Sequence, residues 1–534
     1  MKPHQQQSVS PLSLACGESG VMNPLLAATS VNCRSGGAYR LILTGNALIR
    51  IAAVLLLLMV PALVVLWDIS DPGTRLPQIP RVAWTVHRAL TPKIRKWAEG
   101  RLGSDRASRL STADISGTEW PLFGNVFYLL ATESLQKAWE ANRSLTDTSP
   151  KQYAAEAIEA TARLVLDPGQ AGWVKQHWGD KYLSNEDLFY RMLLISAATS
   201  HVQLTGKNRY LPLLREQVES LSAELDRSPH GLLDDYPGQC YPGDVVMAIA
   251  MIRRADKVLG TDHRAFVDRA LRGFQGRNLD PQGLVPYAAD SRTGDPLGAS
   301  RGCDNSYVSL FAPGLWPEQA RDWYALYAQH YWQHSWTALG FREFPHSMPD
   351  HEWYMDVDSG PVVAGFGFSA CAFGVGAARA NGQFEHAFPL TTEMLAMSLP
   401  MPDGTLIVPR LLSNGADAPF LGESAILFNL TRLPENGSTV QSGGSIPTLT
   451  MLVLILEAAI GLTVIALSAW TIRRCGRRVG RFAIPAVKVQ LGIWFGFVVT
   501  GVVLVLFGHW IFGAILVVLA QLMPAMTRRA KETE

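Results

Sequence analysis

The hydrophobic pattern divides the chain before any motif is read. Ile51–Trp67 (IAAVLLLLMVPALVVLW) runs 17 residues without a polar side chain, and Ala47, Leu48 and Ile49 extend it across Arg50. A bilayer-spanning helix needs about 20 residues at ~1.5 Å each, so 46–67 is predicted as a first membrane helix. A cleaved signal peptide is the alternative, but its apolar region is usually about 7 to 15 residues, and VLWDISDP offers no small-x-small cleavage site. Thr448–Trp470 is a 23-residue apolar run whose only charge is Glu457. Two further runs, 491–507 and 511–523, are separated by Gly508, His509 and Trp510. The last is short, and reads as a tilted span or a re-entrant turn. Glu457 is expensive in lipid; it is expected to face another helix or to serve function.

Between these runs the period becomes helical. Apolar residues recur near every 3.6 positions in Phe123–Asn142, Tyr153–Leu166, Asn185–Thr205, Leu211–Leu225 and Asp244–Leu259. His263–Phe274, Pro317–Trp336, Pro361–Ala380 and Leu421–Leu430 follow the same pattern. Ser184, three residues before Asp187, and Asp262 stand where helix starts are expected. The Pro- and Arg-containing stretch 68–110 reads as a connector with one helix, Pro92–Leu102, capped by Thr91. Strand-like alternation is scarce. Long loops dense in Gly, Pro, aromatics and carboxylates separate the helices at Leu232–Gly243, Asp280–Tyr307 and Phe341–Gly360. Loops of this length in a compact domain are usually functional. Helical hairpins with their rich loops at one end account for this, so the expected class is all-α: an (α/α)6-barrel-like domain over 111–445, plus transmembrane helices.

Charge fixes orientation and removes one class of partner. The 534 residues carry 47 basic and 46 acidic side chains, a net charge of +1, which gives no bulk electrostatic pull on nucleic acid. Arg473, Arg474, Arg477, Arg478, Arg481 and Lys488 occupy the loop 471–490 without an acidic residue. Short basic loops stay cytoplasmic. Arg34, Arg40 and Arg50, and the 524–534 tail with Arg528, Arg529 and Lys531, follow the same rule. Four spans meet all three constraints and put the main domain outside the cytoplasm, in the periplasm if this is a multi-pass protein of a bacterial inner membrane. The lipid bilayer is thus the first expected partner. Residues 1–40, polar and rich in Ser, Gly and Gln, read as a disordered cytoplasmic tail.

Chemistry concentrates in the loops. Asp234, Asp235, Tyr236, Cys240, Tyr241 and Asp244 place carboxylates, phenols and a thiol within eleven residues shaped by Pro and Gly. Asp244 equally fits a helix start, and Asp304, in Cys303-Asp304-Asn305-Ser306-Tyr307, a helix cap. Asp356 and Asp358 lie two apart beside Trp353 and Tyr354, and share a face if the segment is extended. Glu119, with Trp120, stands at the mouth of the first long helix. Asp235, Asp244, Asp304, Asp356 and Asp358 are the candidate acid–base residues. Glu119, Trp120, Tyr236, Tyr241, Tyr307, Trp353 and Tyr354 are the candidate substrate contacts. The twelve-residue calcium-loop spacing is absent, so no metal and no other cofactor is expected. Cys240 and Cys303 lie where disulfides are permitted, leaving a pair or free thiols open; a catalytic Cys240 would need a neighbouring base. The many tryptophans suit either core packing or stacking on sugar rings.

Ser184–Leu430 resembles the linalool dehydratase/isomerase-like family. The resemblance rests on Leu204-Thr205-Gly206, the Gly231-Leu232-Leu233 loop, Gly260–Ala265 (GTDHRA), the turn Asp356–Gly360 before a small-residue helix, and Leu421–Leu430 (LGESAILFNL). It implies an (α/α)6 barrel with a pocket built from loops at one end, and dehydration or isomerisation of an alcohol by cysteines, a histidine, an aspartate and tyrosines without metal or organic cofactor. The family's two cysteine positions fall on Asp235 and Asp244, and its histidine position near Leu193; Cys240 lies between the cysteine positions. The family archetype is a soluble pentamer, which leaves a homo-oligomer or a membrane complex open. The leading expectation is therefore a membrane-anchored enzyme using carboxylates on a glycan or other polyhydroxylated envelope substrate. An alcohol dehydratase/isomerase and a non-catalytic polymer-binding protein are the alternatives.

Overall fold

The computed structural model describes residues 37–104, 106–184, 186–348, 351–435, 437–476, 492–501 and 515–522. Nearly all of the N-terminal tail, the basic loop from 477, the 524–534 tail and much of the last two apolar runs lie outside the described residues. In chain order, α1 (Gly37–Val54) passes through a π-turn, Leu55–Met59, into α2 (Val60–Ile69). There follow α3 (Arg81–Leu102), α4 (Ile115–Ala141), α5 (Ala155–Leu166), α6 (Gly172–Trp178), α7 (Leu188–Thr205), α8 (Leu211–Arg227), α9 (Pro242–Leu259) and α10 (Arg264–Ala270). α11 (Gly302–Phe311) and α12 (Pro317–Tyr331) precede the antiparallel pair β1 (Trp332–His334) and β2 (Leu339–Phe341). A second antiparallel sheet holds β3 (Trp353–Asp356), β4 (Gly360–Val363) and β5 (Phe366–Gly367). α13 (Phe368–Ala380), α14 (Phe384–Ser398), α15 (Ile407–Gly415), α16 (Leu421–Leu430) and α17 (Thr448–Gly476) complete the principal elements. Among the described residues two helices are long and apolar enough to cross a membrane, Leu41–Ile69 and Thr448–Arg474.

The chain packs as two units, one drawn from the described parts of Met1–Leu55 and Gly461–Glu534, the other Leu56–Ile460. In the first unit, Trp494 Nε1 donates to Asn46 Oδ1 at 2.7 Å, and Asn46 Nδ2 donates to the Ala520 carbonyl at 3.3 Å. One asparagine fastens three apolar helices.

In the large unit α4 packs on α7, α7 on α9, α9 on α11, α11 on α13, α13 on α16, and α16 on α4. α5, α8, α10, α12 and α14 flank these helices, and α3 packs on α5, α16 and α4. Sequence explains which helix takes which place. From Leu188 to His201 every residue of α7 is buried, with the polar Arg191 paired to Glu224 and Gln217, so the helix belongs inside. α8 buries only one stripe, including Leu214, Val218, Leu221 and Leu225, as an outer helix does. Each such side chain contributes about 1.5–3 kcal/mol when fully buried.

Several expectations need correction. The helix expected at Pro92 begins at Arg81, because Val82, Val86, Leu90 and Ile94 form a buried stripe that the proline does not interrupt. Pro92 sits on the exposed face, where a lost backbone bond costs least, and Thr91 Oγ1 donates to the His87 carbonyl at 2.7 Å instead of capping. The segment 68–80 is fastened too: buried Arg379 donates to the Gly73 carbonyl at 3.1 Å and the Gln78 carbonyl at 2.6 Å. Asp187 occupies the N-cap of α7 with φ 45° and no capping side-chain bond, and Ser184 donates back to Lys181. Residues 332–334, 361–363 and 366–367, expected as helix, are strands, because cross-strand pairing overrides a weak local pattern. α11 begins within the last residues of an expected loop, and α14 and α15 fall where no element was expected.

Candidate functional site

The first turns of α9 and α11 and the start of α4 bring together carboxyls from distant parts of the chain. Asp244 lies in the first turn of α9 and Asp304 in the first turn of α11, and neither helix has a side-chain cap. The capping alternative is therefore not how these two are used. Gly243 has a definite reason to be glycine: a β-carbon there would overlap Asp304 Oδ1. Glu119 comes from the second turn of α4, beside half-buried Trp120. Asp235 comes from the loop before α9 and is 0% exposed.

A strained turn holds that loop. Glu186 and Asp187 have φ of 36° and 45°, the left-handed region that non-glycine residues avoid. Glu186 accepts the Asp234 N–H at 3.1 Å, and Leu188 N–H donates to the Asp234 carbonyl at 3.1 Å. Asp234 closes its own turn through the Gly238 N–H at 2.7 Å. Asp235 Oδ2 accepts the Tyr241 N–H at 2.8 Å, which leaves Oδ1 buried without a partner; Asp304 Oδ2 is likewise buried and free.

Burial and mutual repulsion govern the protons. Burial pushes the Glu119 carboxyl up to about 7, with Tyr236 opposing and Asp358 reinforcing the shift. Burial raises both Asp235 and Asp244; the Asp244 charge adds to Asp235, and Asp358 and Glu119 add to Asp244. Asp304 is raised by burial and by Asp244, against the opposing pull of Arg301. Like charges in one low-dielectric site cannot all ionise, so the group keeps protons near neutrality. Tyr236, Tyr287 and Tyr307 are pushed well up by burial, and Tyr241 to about 12, so all four remain phenols.

Tyr307, which feels the charges of Asp244, Asp304 and Asp235, links these groups to a cluster of aromatic rings. Phe123 packs on Phe127, Phe189 and Tyr307 at centroid separations of 4.3, 5.9 and 6.0 Å, and Tyr307 on Phe373 at 5.4 Å. Trp173, Trp316 and Trp323, which the sequence offered for stacking, are buried in the core.

Arg301, a residue the sequence did not single out, organises the neighbouring side chains and acts on Asp304. Its Nε donates to Glu343 at 2.7 Å and its Nη1 pairs with Asp356 at 2.8 Å, while the guanidinium lies 4.4 Å over the Tyr287 ring. Asp356 also accepts the Ser359 N–H at 2.7 Å. Burial pushes Asp356 up, but the bonds from Arg301 and Ser359 prevail and hold it at about 2. It is an ionised anchor for the β3–β4 turn. Asp358, two residues on, is exposed and accepts the Tyr287 hydroxyl. Tyr354 faces Arg301 at 5.7 Å, whereas Trp353 is largely exposed on the other face of β3. Arg301, Tyr287 and Glu343 each stand next to a quoted cluster or in a quoted loop, but only contact distances reveal their part.

Cys240, Cys303 and Cys371 are free thiols. Burial and nearby carboxylates push Cys240 up, and Cys303 donates to Glu343 at 3.1 Å. Leu193 is fully buried in α7. Among the described residues no group of three or more His, Cys, Asp or Glu is placed to hold a metal ion. A separate open cleft lined by Arg95, Arg163, Lys207 and Arg209 neutralises its charges internally, as in the Lys207–Glu159 and Arg95–Glu156 pairs. No family model matches the chain, and no curated protein matches it either.

Proposed function

We propose that the chain is a membrane-anchored enzyme that breaks a carbon–oxygen bond by carboxyl acid–base chemistry, acting on a hydroxylated substrate with an apolar body. The observation that carries this reading is the group Glu119, Asp235, Asp244 and Asp304, raised by burial and linked through Tyr307 to an aromatic cluster. The successive packing from α4 through α7, α9, α11, α13 and α16 back to α4 supports an (α/α)6 barrel with these residues at one end. That architecture agrees with the resemblance to the linalool dehydratase/isomerase-like family. Four spans with the large unit outside the cytoplasm complete the reading, supported by two long apolar helices and the Asn46 junction.

In the proposed reaction Asp244, held protonated, donates its proton to the leaving hydroxyl. The C–O bond breaks with its electron pair on oxygen, and water departs. Glu119, raised least far, is the carboxyl that ionises first; it removes a proton from the adjacent carbon, and that C–H pair becomes the alkene. One proton is given and one recovered. General acid–base groups of this kind contribute about 10²- to 10⁴-fold each.

An envelope glycan is the second reading. The same two carboxyls suit a glycosidic oxygen, and Asp358, Tyr287 and Tyr241 offer hydroxyl partners near the rim. Cells with and without the chain, profiled for both lipid alcohols and envelope glycans, separate the readings. Accumulation of an alcohol that the purified full chain dehydrates supports the first. A glycan change supports the second, and no change in either favours a non-catalytic role.

A further inference from the structure

The β3–β4 hairpin turns an apolar face outward. Strand alternation puts Trp353 and Met355 on one face, and the register pairs them with Val363 and Pro361. Trp353 is 73% exposed and Met355 74%; Pro361 and Val363 are exposed as well. The other face is fastened at Val362 and Asp356, with Tyr354 partly exposed between them. Val362 is buried, Tyr354 lies over Arg301, and Arg301 grips Asp356. A sheet with one solvated face ordinarily turns polar residues to water. Here the fastening on the inner side holds apolar ones there.

The surroundings of the hairpin point to its occupant. Gln333 Nε2 on β1 donates to the Ala364 carbonyl at 3.0 Å, at the end of β4. The same β1–β2 hairpin carries Trp336, 82% exposed at its tip. The next carbonyl, that of Thr337, accepts the Leu449 N–H at 2.6 Å, in the first turn of α17. Trp336 thus marks the point where the chain enters its long apolar helix. At the end of α2 Trp67 is also exposed, with the Arg81 guanidinium 4.4 Å over its ring. Tryptophan beside the entry of an apolar helix is the arrangement of the membrane–water interface, and a large exposed apolar patch marks an interaction surface.

We infer that the outer face of the β3–β4 hairpin, together with Trp336, lies in the interfacial layer of the bilayer that holds α17. The partner is lipid. This rests on the membrane reading above, and not on the chemistry assigned to Asp244.

The test uses the full chain in vesicles of palmitoyl-oleoyl phosphatidylcholine, and in vesicles whose phosphatidylcholine carries bromine on one acyl chain. Subtracting the emission of Trp353→Phe and Trp336→Phe from that of the unsubstituted chain isolates each ring; Trp470→Phe, within α17, reports the membrane helix itself. The expected result is that both signals are blue-shifted in plain vesicles, lost in brominated ones and resistant to aqueous iodide. Quenching by iodide alone overturns the inference, since the face then lies in water. Quenching by neither overturns it also, since a protein surface such as a second copy then covers it. If Trp470 is quenched by bromine while Trp353 is not, only the hairpin assignment fails. If Trp470 is not quenched, the membrane reading fails with it. None of these readouts depends on turnover.

Discussion

The carboxyl of Asp304 rests against the α-carbon of Gly243, so closely that a β-carbon at 243 would overlap Oδ1. This contact joins the first turns of α9 and α11 and sets the spacing of Asp304 from Asp244. Gly243→Ala should force Asp304 aside, at a cost of about 1–3 kcal/mol for overpacking, and should lower turnover with it. Adding Asp304→Ala should recover most of the stability in a denaturant titration. Additive losses in the double variant would mean the overlap is not the cause.

Removing Arg301 should weaken the domain in a pH-dependent way. Its partner Glu343 is fully buried, pushed up by burial and held back to about 7 by Arg301 and Cys303. Arg301→Met leaves that carboxyl unpaired, and breaking a buried pair costs about 3–5 kcal/mol. Without the guanidinium the Glu343 carboxyl is raised further and stays protonated above pH 7, so the variant goes on losing stability with rising pH where the parent has levelled off. The midpoint shift should therefore be larger at pH 8 than at pH 6. Equal shifts at the two values would contradict the pairing.

Glu119 should set the acid limb of activity. With its carboxyl at about 7, turnover should fall roughly tenfold per unit as pH drops below that value, the behaviour of a base that must be ionised. Glu119→Gln should abolish the limb and lower turnover by about 10²- to 10⁴-fold. A variant that keeps both the limb and the rate would assign the base elsewhere.

Asp235→Asn should separate stability from catalysis. Asp235 has an ordinary value of 3.8 and is raised well above it on folding. The folded state therefore holds a proton that the unfolded chain has lost, and this contribution to stability fades as pH rises from about 4 through the raised value. Asparagine at 235 does not titrate, so the variant should gain on the parent by up to about 1.4 kcal/mol per pH unit across that window. Turnover should fall less than in Glu119→Gln, since Asp235 acts on the reaction only through the charge it places beside Asp244. Melting curves from pH 5 to 9 that remain parallel would refute the linkage.

Cys240→Ala should change turnover little. The thiol is buried and raised by neighbouring carboxylates, the opposite of an activated nucleophile. Complete loss of activity with folding intact would return thiol chemistry to the site.

The chain's own pattern determined its helices and its apolar runs. α7, buried all round, and the one-sided α8 differ in sequence as they differ in burial, because helix periodicity is local and survives without knowledge of the fold. The carboxylate-rich loops were also legible, since Pro and Gly punctuation around Asp235 and Asp244 is a local feature. Tertiary structure alone decided which carboxyls share a site. Glu119 and Asp304 come within electrostatic reach of Asp244 only because the packing of α4 on α7, α7 on α9 and α9 on α11 gathers the starts of α4, α9 and α11, and burial there raises their proton affinity. It also gave Asp356 and Asp358, two residues apart, different work: one is locked to Arg301, the other is open at the rim. Arg301, Tyr287 and Glu343 carry no local signature, because an ion pair or a ring contact is a relation between distant segments. The outward Trp353 and Met355 obey the period of a strand; that the apolar side faces out was fixed by Arg301 holding the other side in.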